Sequence, residues 1–402
     1  MKTNVGVFFG GRSVEHEVAV ISAVQAMAHI DRSVYDITPV YITRDGKMFY
    51  SEFMTDINEF KDIPALLKKS REITFVKKDG EFTMIELKGG LFKKPVCTID
   101  IAFPIVHGTN CEDGSLVGWF ELLGVPYVTC DVLSAAVGMD KEIFKCVLLQ
   151  KGIPTLPCVS FYSKEWVNDN ENILQKINDN IKYPMIVKPA NLGSSVGIRK
   201  VEDKNELVDA IEYAMQFATK ILVEHAVENL RELNCSVLGD CDGCETSVIE
   251  EPMMSGKILS YADKYQSGGG KKTGGAKSGE SEGMASLDRK IPADISDKIK
   301  SQVETYSKQT FLALGCSGVV RIDYLYDTAN DCVYVNEINT IPGALSFYLW
   351  EPKGISYTAQ LTKMIELGFK RNRVKDNLSF SYETNILSKG GSFGAKGTKG
   401  KI

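Results

Sequence analysis

The chain has 402 residues, of which 44% are hydrophobic and 25% charged, a composition that indicates a soluble globular protein of two or three domains. Its formal net charge of -5 excludes the overall basic field that attracts nucleic acids or anionic membranes, so neither partner is expected. The first residues lack a signal-peptide pattern, and no apolar run approaches the roughly 20 residues of a membrane span. We therefore expect a cytoplasmic protein.

Ten cysteines are scattered along the chain. A chain of this size does not need disulfides for stability, so free thiols in a reducing compartment are expected. Cys241 and Cys244 form a CxxC pair. A structural zinc site would need a second ligand pair at suitable spacing, which the sequence lacks, so a plain hairpin loop is favoured over a metal or redox site.

The first third of the chain alternates apolar runs at Val5–Phe9, Ile37–Ile42 and Ile101–Val106 with helical patterns such as Glu15–Ala28. This alternation predicts a parallel β-sheet with helices packed on it. We assign residues 1–127 to an N-terminal α/β domain on the substrate side.

Two further domains are predicted, 128–218 and 219–372. The first contains the helical pattern Asp140–Gln150, which Gly152 and Pro154 end. The second contains three strand patterns: Asn234–Leu238, Val319–Tyr326 and Val333–Ile338.

Two segments are rich in Gly, Ser and Lys and have almost nothing to bury. One is the internal stretch QSGGGKKTGGAKSGESEG, within a mobile lid predicted at about 261–285. The other is the tail 373–402, which is predicted to be disordered.

The sharpest chemical pattern lies near the C-terminal end, in RID followed by NEIN. Glu337 and Asn339 point to one face of a period-two strand, and Asp323 converges on that face if its strand is the neighbour. Two carboxylates and an amide oxygen are the hard ligands that Mg²⁺ accepts. The alternative, a solvated sheet face with ordinary charges, is disfavoured by the apolar neighbours.

A phosphate-handling element is predicted in the middle of the chain. Lys188 ends an apolar strand, and the Gly/Ser loop ANLGSSVG follows, whose backbone N–H groups could surround phosphate oxygens. The pattern is not GxxxxGK[ST], so P-loop chemistry is disfavoured. Lys141 is either a second phosphate lysine or a charge on a helix surface.

Three weaker candidates remain. Glu224 lies at a strand end whose backbone groups could contact the edge of a nucleotide base, and Glu232 could bind the ribose hydroxyls. His107 follows a strand at the carboxyl edge where open α/β sheets bind ligands, although a histidine beside glycine is more often structural. The N-terminal GGRSVEHE lacks the GxGxxG spacing of a dinucleotide-binding turn, which argues against a dehydrogenase.

Together these motifs resemble the D-alanine–D-alanine ligase family of ATP-grasp enzymes. The resemblance runs from Val5 to about Arg371 through blocks in family order: GGRSVEHEV, HGTNCEDG, MDK, VKPANLGSSVG, VEHAVENLRE, ADKY, VRID and NEINTIPG. It implies an α/β (α+β) protein with a three-domain ATP-grasp architecture. It also implies that one D-alanine is phosphorylated by ATP to an acylphosphate, which the amine of a second D-alanine attacks, for peptidoglycan synthesis.

The resemblance also assigns roles to residues. Contacts to ATP are implied for Lys141, Lys188, Glu224 (adenine), Glu232 (ribose) and Lys264. Two Mg²⁺ ions, which Mn²⁺ could replace, are implied at Asp323, Glu337 and Asn339. Stabilisation of the oxyanion is implied for Arg321 and the Gly343 amide, and binding of the first ammonium group for Glu15, connected through Ser194 to Tyr265. The second-substrate side is implied for His107, Tyr348 and Leu349.

Two positions depart from the family pattern. Tyr348 stands where the family usually carries a serine that binds the carboxylate of the second amino acid, and Ala19 replaces another common serine. A paralogous ligase with a different acceptor is therefore the alternative within the family, and a non-catalytic nucleotide-binding protein the alternative outside it. Small-molecule amino-acid substrates are the expected partners, and because dimers are common in the family, a homodimer is one candidate assembly.

Overall fold

The computed structural model describes residues 2–87, 95–193, 196–253 and 289–379. The predicted lid at about 261–285 therefore lies outside the described residues, as does most of the tail. Within the described ranges, no helix is both long and apolar enough to cross a membrane. All ten cysteines are free thiols, as the sequence predicts.

A seven-stranded sheet forms the N-terminal part. Its strands are β1 (Thr3–Gly10), β2 (Tyr35–Ile42), β3 (Met48–Tyr50), β4 (Arg71–Lys78), β5 (Glu81–Glu86), β6 (Pro95–Ile99) and β7 (Ile101–Ile105), in the order β6-β5-β4-β3-β2-β1-β7. Its helices are α1 (His16–His29), α2 (Ile63–Lys68) and α3 (Ser115–Leu123). The parallel sheet is confirmed for β1, β2 and β7. The antiparallel extension β3 to β6 was not predicted.

A four-stranded antiparallel sheet occupies the middle of the chain. Its strands are β8 (Cys158–Tyr162), β9 (Met185–Pro189), β10 (Arg199–Val201) and β11 (Lys220–His225), in the order β10-β9-β11-β8. The helices of this region are α4 (Val132–Met139), α5 (Lys141–Gln150), α6 (Ser163–Asn168), α7 (Asn170–Asn180) and α8 (Lys204–Ala214). Because β11 pairs with β8 and β9, the central sheet extends past the domain boundary predicted at residue 218.

A five-stranded antiparallel sheet follows. Its strands are β12 (Leu230–Asp240), β13 (Gly243–Pro252), β14 (Arg289–Lys290), β15 (Gly318–Asp327) and β16 (Cys332–Asn339), in the order β14-β13-β12-β15-β16. Two helices, α9 (Asp297–Leu314) and α10 (Tyr357–Asp376), complete this part. The CxxC segment forms the turn between β12 and β13, so the predicted hairpin loop is confirmed.

The C-terminal helix α10 returns to the N-terminal sheet. Its residues Leu361, Met364 and Ile365 are buried in the same hydrophobic cluster as the strands of that sheet. Burial of each such side chain contributes about 1.5–3 kcal/mol, so this contact ties the end of the chain to its beginning. The helix continues to Asp376, so the first residues of the tail predicted to be disordered from 373 are helical, while residues 380–402 lie outside the described residues.

Candidate active site

One cleft brings together residues from distant parts of the sequence. It is lined by Glu15, Gly108, Glu112, Gly138, Met139, Lys141, Gly193, Glu337, Ile338, Asn339 and Thr340. These residues follow the ends of β1, β7 and β9, end α4, begin α5, and end or follow β16. Four predicted site residues, Glu15, Lys141, Glu337 and Asn339, therefore share one cleft.

A glycine turn after β1 places Glu15 at the start of α1. Gly10 and Gly11 have φ angles of 91° and 89°, a region that favours glycine. The Glu15 N–H then donates to Ser13 Oγ at 3.1 Å. Gly108 is also required here, because a Cβ on it would lie 2.6 Å from Glu15 Oε2. The close approach of the two loops explains why both of them carry glycine.

Lys141 links the central sheet to the C-terminal sheet. It is the first residue of α5, and its Nζ lies 3.1 Å from Glu337 Oε2 and donates to the Leu192 carbonyl at 2.9 Å. The side chain is largely buried, with 7% exposure. Of the two interpretations of Lys141 from the sequence, a surface helix charge is therefore excluded.

Lys188 belongs to a buried ionic cluster. Its Nζ pairs with Glu224 and donates to Asn336 Oδ1 at 3.1 Å. Glu224 is also paired with Lys145 Nζ at 2.6 Å, and Lys145 donates in addition to the Leu156 carbonyl at 3.2 Å. Burial alone would raise the pKa of Glu224, but the two lysines lower it to about 2. Glu224 is therefore a carboxylate between two ammonium groups.

Arg321 and Asp323 form a bidentate pair on β15. Nε and Nη2 of Arg321 donate to the two carboxylate oxygens, each at 2.7 Å. Asn339 Nδ2 donates to Asp323 Oδ2 at 3.1 Å, and Asp323 is paired with Glu337 across β15 and β16. The predicted convergence of Asp323, Glu337 and Asn339 on one face is present.

His107 is buried and does not open to the cleft. Its Nδ1 donates to the Ile341 carbonyl at 2.7 Å, so Nε2 accepts from Ser22 Oγ at 2.8 Å. Ser22 Oγ in turn accepts from the Ala344 N–H at 3.0 Å. Burial lowers the pKa of His107, which keeps the ring neutral. Of the two roles considered for His107, this geometry corresponds to the structural one, and the contacts show that the ring supports the turn after β16.

That turn has an unusual backbone. Gly343 begins a 3₁₀ segment, Gly343–Leu349, in which Ala344, Leu345 and Ser346 have φ angles of 49°, 51° and 52°. Left-handed backbone costs roughly 1–2 kcal/mol per residue outside glycine. Buried hydrogen bonds hold it, including Gln360 Nε2 to the Leu345 carbonyl at 2.7 Å.

The last two residues of the segment differ in exposure. The Tyr348 hydroxyl donates to Glu250 Oε1 at 3.1 Å, and the ring is partly buried. The Leu349 side chain is fully buried, so only its backbone could reach a substrate. Glu232 lies on β12 opposite Leu325. Ser194, Lys264 and Tyr265 lie outside the described residues, and their roles stay predictions.

Sequence reasoning missed five residues of this region: Glu112, Lys145, Glu250, Arg289 and Asn336. Glu112 lies in the quoted block HGTNCEDG, where only the histidine was singled out. Asn336 lies within NEIN, but its neighbours alone matched a metal pattern. The other three carried no local signal, because a charge in a helix or strand pattern reads as solvated surface.

Glu112 provides a test of the electrostatics of the cleft. Its carboxylate accepts the Gly108 N–H at 2.6 Å and the Ile341 N–H at 3.0 Å. Burial and the charge of Glu15 raise its pKa from 4.5 to about 8, against the two backbone N–H groups and Arg321. Between pH 4.5 and about 8, the Glu112 carboxyl is therefore protonated more in the folded state than in the unfolded state. The free energy of unfolding consequently falls as the pH rises through this range.

We expect Glu112→Gln to remove this dependence. Between pH 5 and pH 8.5, the free energy of unfolding, measured with urea, should fall in the unmodified protein by on the order of 1–3 kcal/mol more than it falls in the variant. The slope against pH is the readout, since glutamine also alters the two hydrogen bonds and shifts the absolute stability. Equal slopes for the two proteins would contradict the raised pKa.

Comparisons with known proteins agree along nearly the whole chain. Family models described as "D-ala D-ala ligase N-terminus" and "D-ala D-ala ligase C-terminus" match residues 4–130 and 147–366. A relative named D-alanine–D-alanine ligase, from Thermosipho melanesiensis, is 39% identical over 386 residues, which cover 96% of this chain and 98% of the relative.

Solved structures show the same similarity. The D-alanine–D-alanine ligase from Coxiella burnetii has a TM-score of 0.76 and 27% identity, over 93% of this chain and 96% of that one. The VanG D-Ala:D-Ser ligase from Enterococcus faecalis has a TM-score of 0.75 and 30% identity, over 92% of this chain and all of that one. The predicted ATP-grasp fold is thereby confirmed. The chain belongs to the D-alanine–D-alanine ligase family.

Proposed function

We propose that this protein joins two D-alanine molecules into D-alanyl-D-alanine, with conversion of ATP to ADP and phosphate, as a step in peptidoglycan synthesis. The family membership and the full-length similarity to named ligases support this activity. The observation that carries it is the ion pair between Lys141 and Glu337. This contact joins a lysine of the central sheet region to a carboxylate of the C-terminal sheet inside the cleft that contains Glu15.

The nucleotide is proposed to lie between the central and C-terminal sheets. Lys141 and Lys188 are buried cations whose present partners are carboxylates and oxygen acceptors, groups that phosphate oxygens can replace. Glu224 and Glu232 are proposed for the adenine and ribose. Lys145 would continue to neutralise Glu224 after Lys188 turns to a phosphate.

The residues proposed for magnesium fit that ion chemically. Asp323, Glu337 and Asn339 supply two carboxylates and an amide oxygen on one face, all of them hard oxygen donors. Within the described ranges no group of three or more His, Cys, Asp or Glu side chains is arranged to hold a metal, so phosphate oxygens and water would complete the coordination. Bound there, magnesium would neutralise phosphate charge.

The residues of the chain would then position the two amino acids. We propose that Glu15 holds the ammonium group of the first D-alanine. The carboxylate of this D-alanine attacks the γ-phosphorus of ATP, and ADP leaves. The amine of the second D-alanine attacks the acylphosphate carbonyl, and phosphate leaves from the tetrahedral intermediate. Arg321, oriented by its bidentate bond to Asp323, and the Gly343 N–H would stabilise the oxyanion.

A second candidate differs only in the acceptor. Tyr348, which we propose for the acceptor side, replaces the usual serine and donates instead to Glu250, so the second amino acid could differ from D-alanine. The nucleotide and metal residues would be the same in both cases. The distinction therefore concerns the second amino acid alone.

The decisive experiment measures phosphate release from ATP and Mg²⁺ with each D-amino acid, D-lactate, and mixed pairs containing D-alanine, with products identified by mass. L-alanine serves as the matched stereochemical control. Turnover with D-alanine alone to give the dipeptide supports the proposal. Turnover only with a mixed pair supports the second candidate, and no phosphate release from folded protein would overturn both.

A further inference from the structure

Four strands of the C-terminal sheet carry a continuous row of polar side chains. Glu250 on β13 is paired with Asn234 on β12, Asn234 with Asp323 on β15, and Asp323 with Glu337 on β16. Directly paired residues of antiparallel strands point to the same face. The face that carries the proposed metal residues therefore continues to Glu250, which lies two strand spacings, about 10 Å, from Asp323.

Glu250 is fully buried at the end of this row. Its Oε1 accepts from Asn234 Nδ2 at 3.0 Å and from the Tyr348 hydroxyl at 3.1 Å, and its Oε2 accepts from Arg289 Nη1 at 2.9 Å. A buried carboxylate requires such a cation and donors to offset its lost hydration. The carboxylate thus connects β12, β14 and the segment after β16.

Arg289 also contacts the ring of Tyr348 directly. Its guanidinium carbon lies 4.6 Å from the centroid of the Tyr348 ring, a cation–π arrangement. The ring is held at its hydroxyl by Glu250 and at one face by Arg289, and it follows the left-handed turn at residues 344–346. Because Glu250 and Arg289 also pair with each other, the ring cannot swing aside without breaking buried contacts.

The location of Tyr348 relates this cluster to the reaction. Burial and the Glu250 charge raise the pKa of Tyr348 to about 12, while Arg321 and Arg289 oppose that rise. Tyr348 is therefore a neutral hydrogen-bond donor at physiological pH, and it is close enough to Arg321 to experience its charge. Because Arg321 is one of the proposed oxyanion groups, Tyr348 lies within electrostatic reach of the proposed reaction centre.

We propose that Glu250 and Arg289 are positioning residues that fix Tyr348 as a rigid wall of the acceptor pocket. This wall restricts the second substrate to a D-amino acid with a small side chain. The inference rests on the proposed function and adds to it the residues that select the acceptor. A fixed aromatic ring excludes bulk by sterics, so selection does not require a new hydrogen bond to the acceptor side chain.

The test compares acceptors of increasing size, namely D-alanine, D-2-aminobutyrate and D-valine, with D-alanine as the first substrate. We expect Tyr348→Ser to raise the kcat/KM ratio of D-valine over D-alanine by at least about tenfold, which corresponds to ~1.4 kcal/mol. Glu250→Gln and Arg289→Gln should shift the ratio in the same direction. Tyr348→Phe, which keeps the ring but loses its bond to Glu250, should shift it less.

Glu251→Gln is the matched control, because Glu251 adjoins Glu250 on β13 but pairs with Arg231 instead. It should leave the ratio unchanged. Thermal unfolding identifies variants that fail to fold, and Tyr348→Phe remains informative if Glu250→Gln does not fold. An unchanged ratio in folded Tyr348→Ser overturns the proposal.

A separate readout distinguishes failure of this proposal from failure of the proposed function. Hydroxylamine displaces phosphate from an acylphosphate and forms a hydroxamate, so it competes with the acceptor amine and reports the first step independently of the acceptor's size. Hydroxamate formed from ATP and D-alanine by the unmodified protein supports the proposed function. Absence of both the hydroxamate and the dipeptide would overturn that function, whatever the acceptor ratios.

Discussion

Replacement of Asp323 by asparagine is expected to lower kcat at least about 10²–10³-fold, the range seen when a charge-stabilising group is removed from an active site. Asp323 holds Arg321 by two hydrogen bonds of 2.7 Å and receives one from Asn339. The substitution removes a proposed magnesium ligand and leaves the buried Arg321 guanidinium without its bidentate carboxylate. Phosphate release with D-alanine is the measurement.

The matched control for this variant is Asp331→Asn. Asp331 lies at the turn after β15 and pairs with Lys298, and both side chains are about half exposed. Such a surface pair contributes at most about 1 kcal/mol, so activity and stability should both be nearly unchanged. A Mg²⁺ titration completes the test, because the loss in Asp323→Asn should be smaller at high Mg²⁺. Full activity in folded Asp323→Asn would contradict the placement of the reaction centre at this face.

The sequence predicted this face because strand periodicity constrains side-chain direction. In β16 the alternation of apolar and polar residues placed Glu337 and Asn339 on one side, and the pairing with Asp323 needed only that β15 be the adjacent strand. Local patterns of this kind survive folding because one face is buried and a register shift of one residue would expose it. The parallel strands β1, β2 and β7 were predicted from a different pattern, the alternation of continuous apolar runs with helical segments.

Contacts between distant segments could not be predicted in this way. Lys145 and Glu224 are 79 residues apart, and Lys145 falls in a helical pattern where a lysine usually faces solvent. Arg289 and Glu250 are separated by 39 positions, most of them in a segment with no packing signal. Three consecutive non-glycine residues in left-handed backbone, beginning with Ala344, have no sequence signature at all.

Replacement of Lys145 by methionine is expected to destabilise the protein by about 1–3 kcal/mol, because it removes the buried hydrogen bonds from Lys145 Nζ to Glu224 and to the Leu156 carbonyl and leaves these acceptors less satisfied. Lys145 is 2% exposed and lies 2.6 Å from the buried Glu224 carboxylate. Lys188 would become the only cation paired with Glu224, which should hold it away from phosphate and raise the KM for ATP. Urea unfolding at pH 7.5 measures the first effect and steady-state kinetics the second.

The double variant Lys145→Met with Glu224→Gln separates the two effects. The neutral amide leaves the buried Lys188 ammonium without its carboxylate partner, so stability should fall below that of Lys145→Met alone, while Glu224 no longer holds Lys188 away from phosphate. Lys151→Met, at the exposed C-terminal end of α5, is the matched control and should change neither stability nor KM. If Lys145→Met is as stable as this control, the buried cluster does not require two lysines. If stability falls while the KM for ATP is unchanged, Lys145 supports the fold and has no part in releasing Lys188 to the nucleotide.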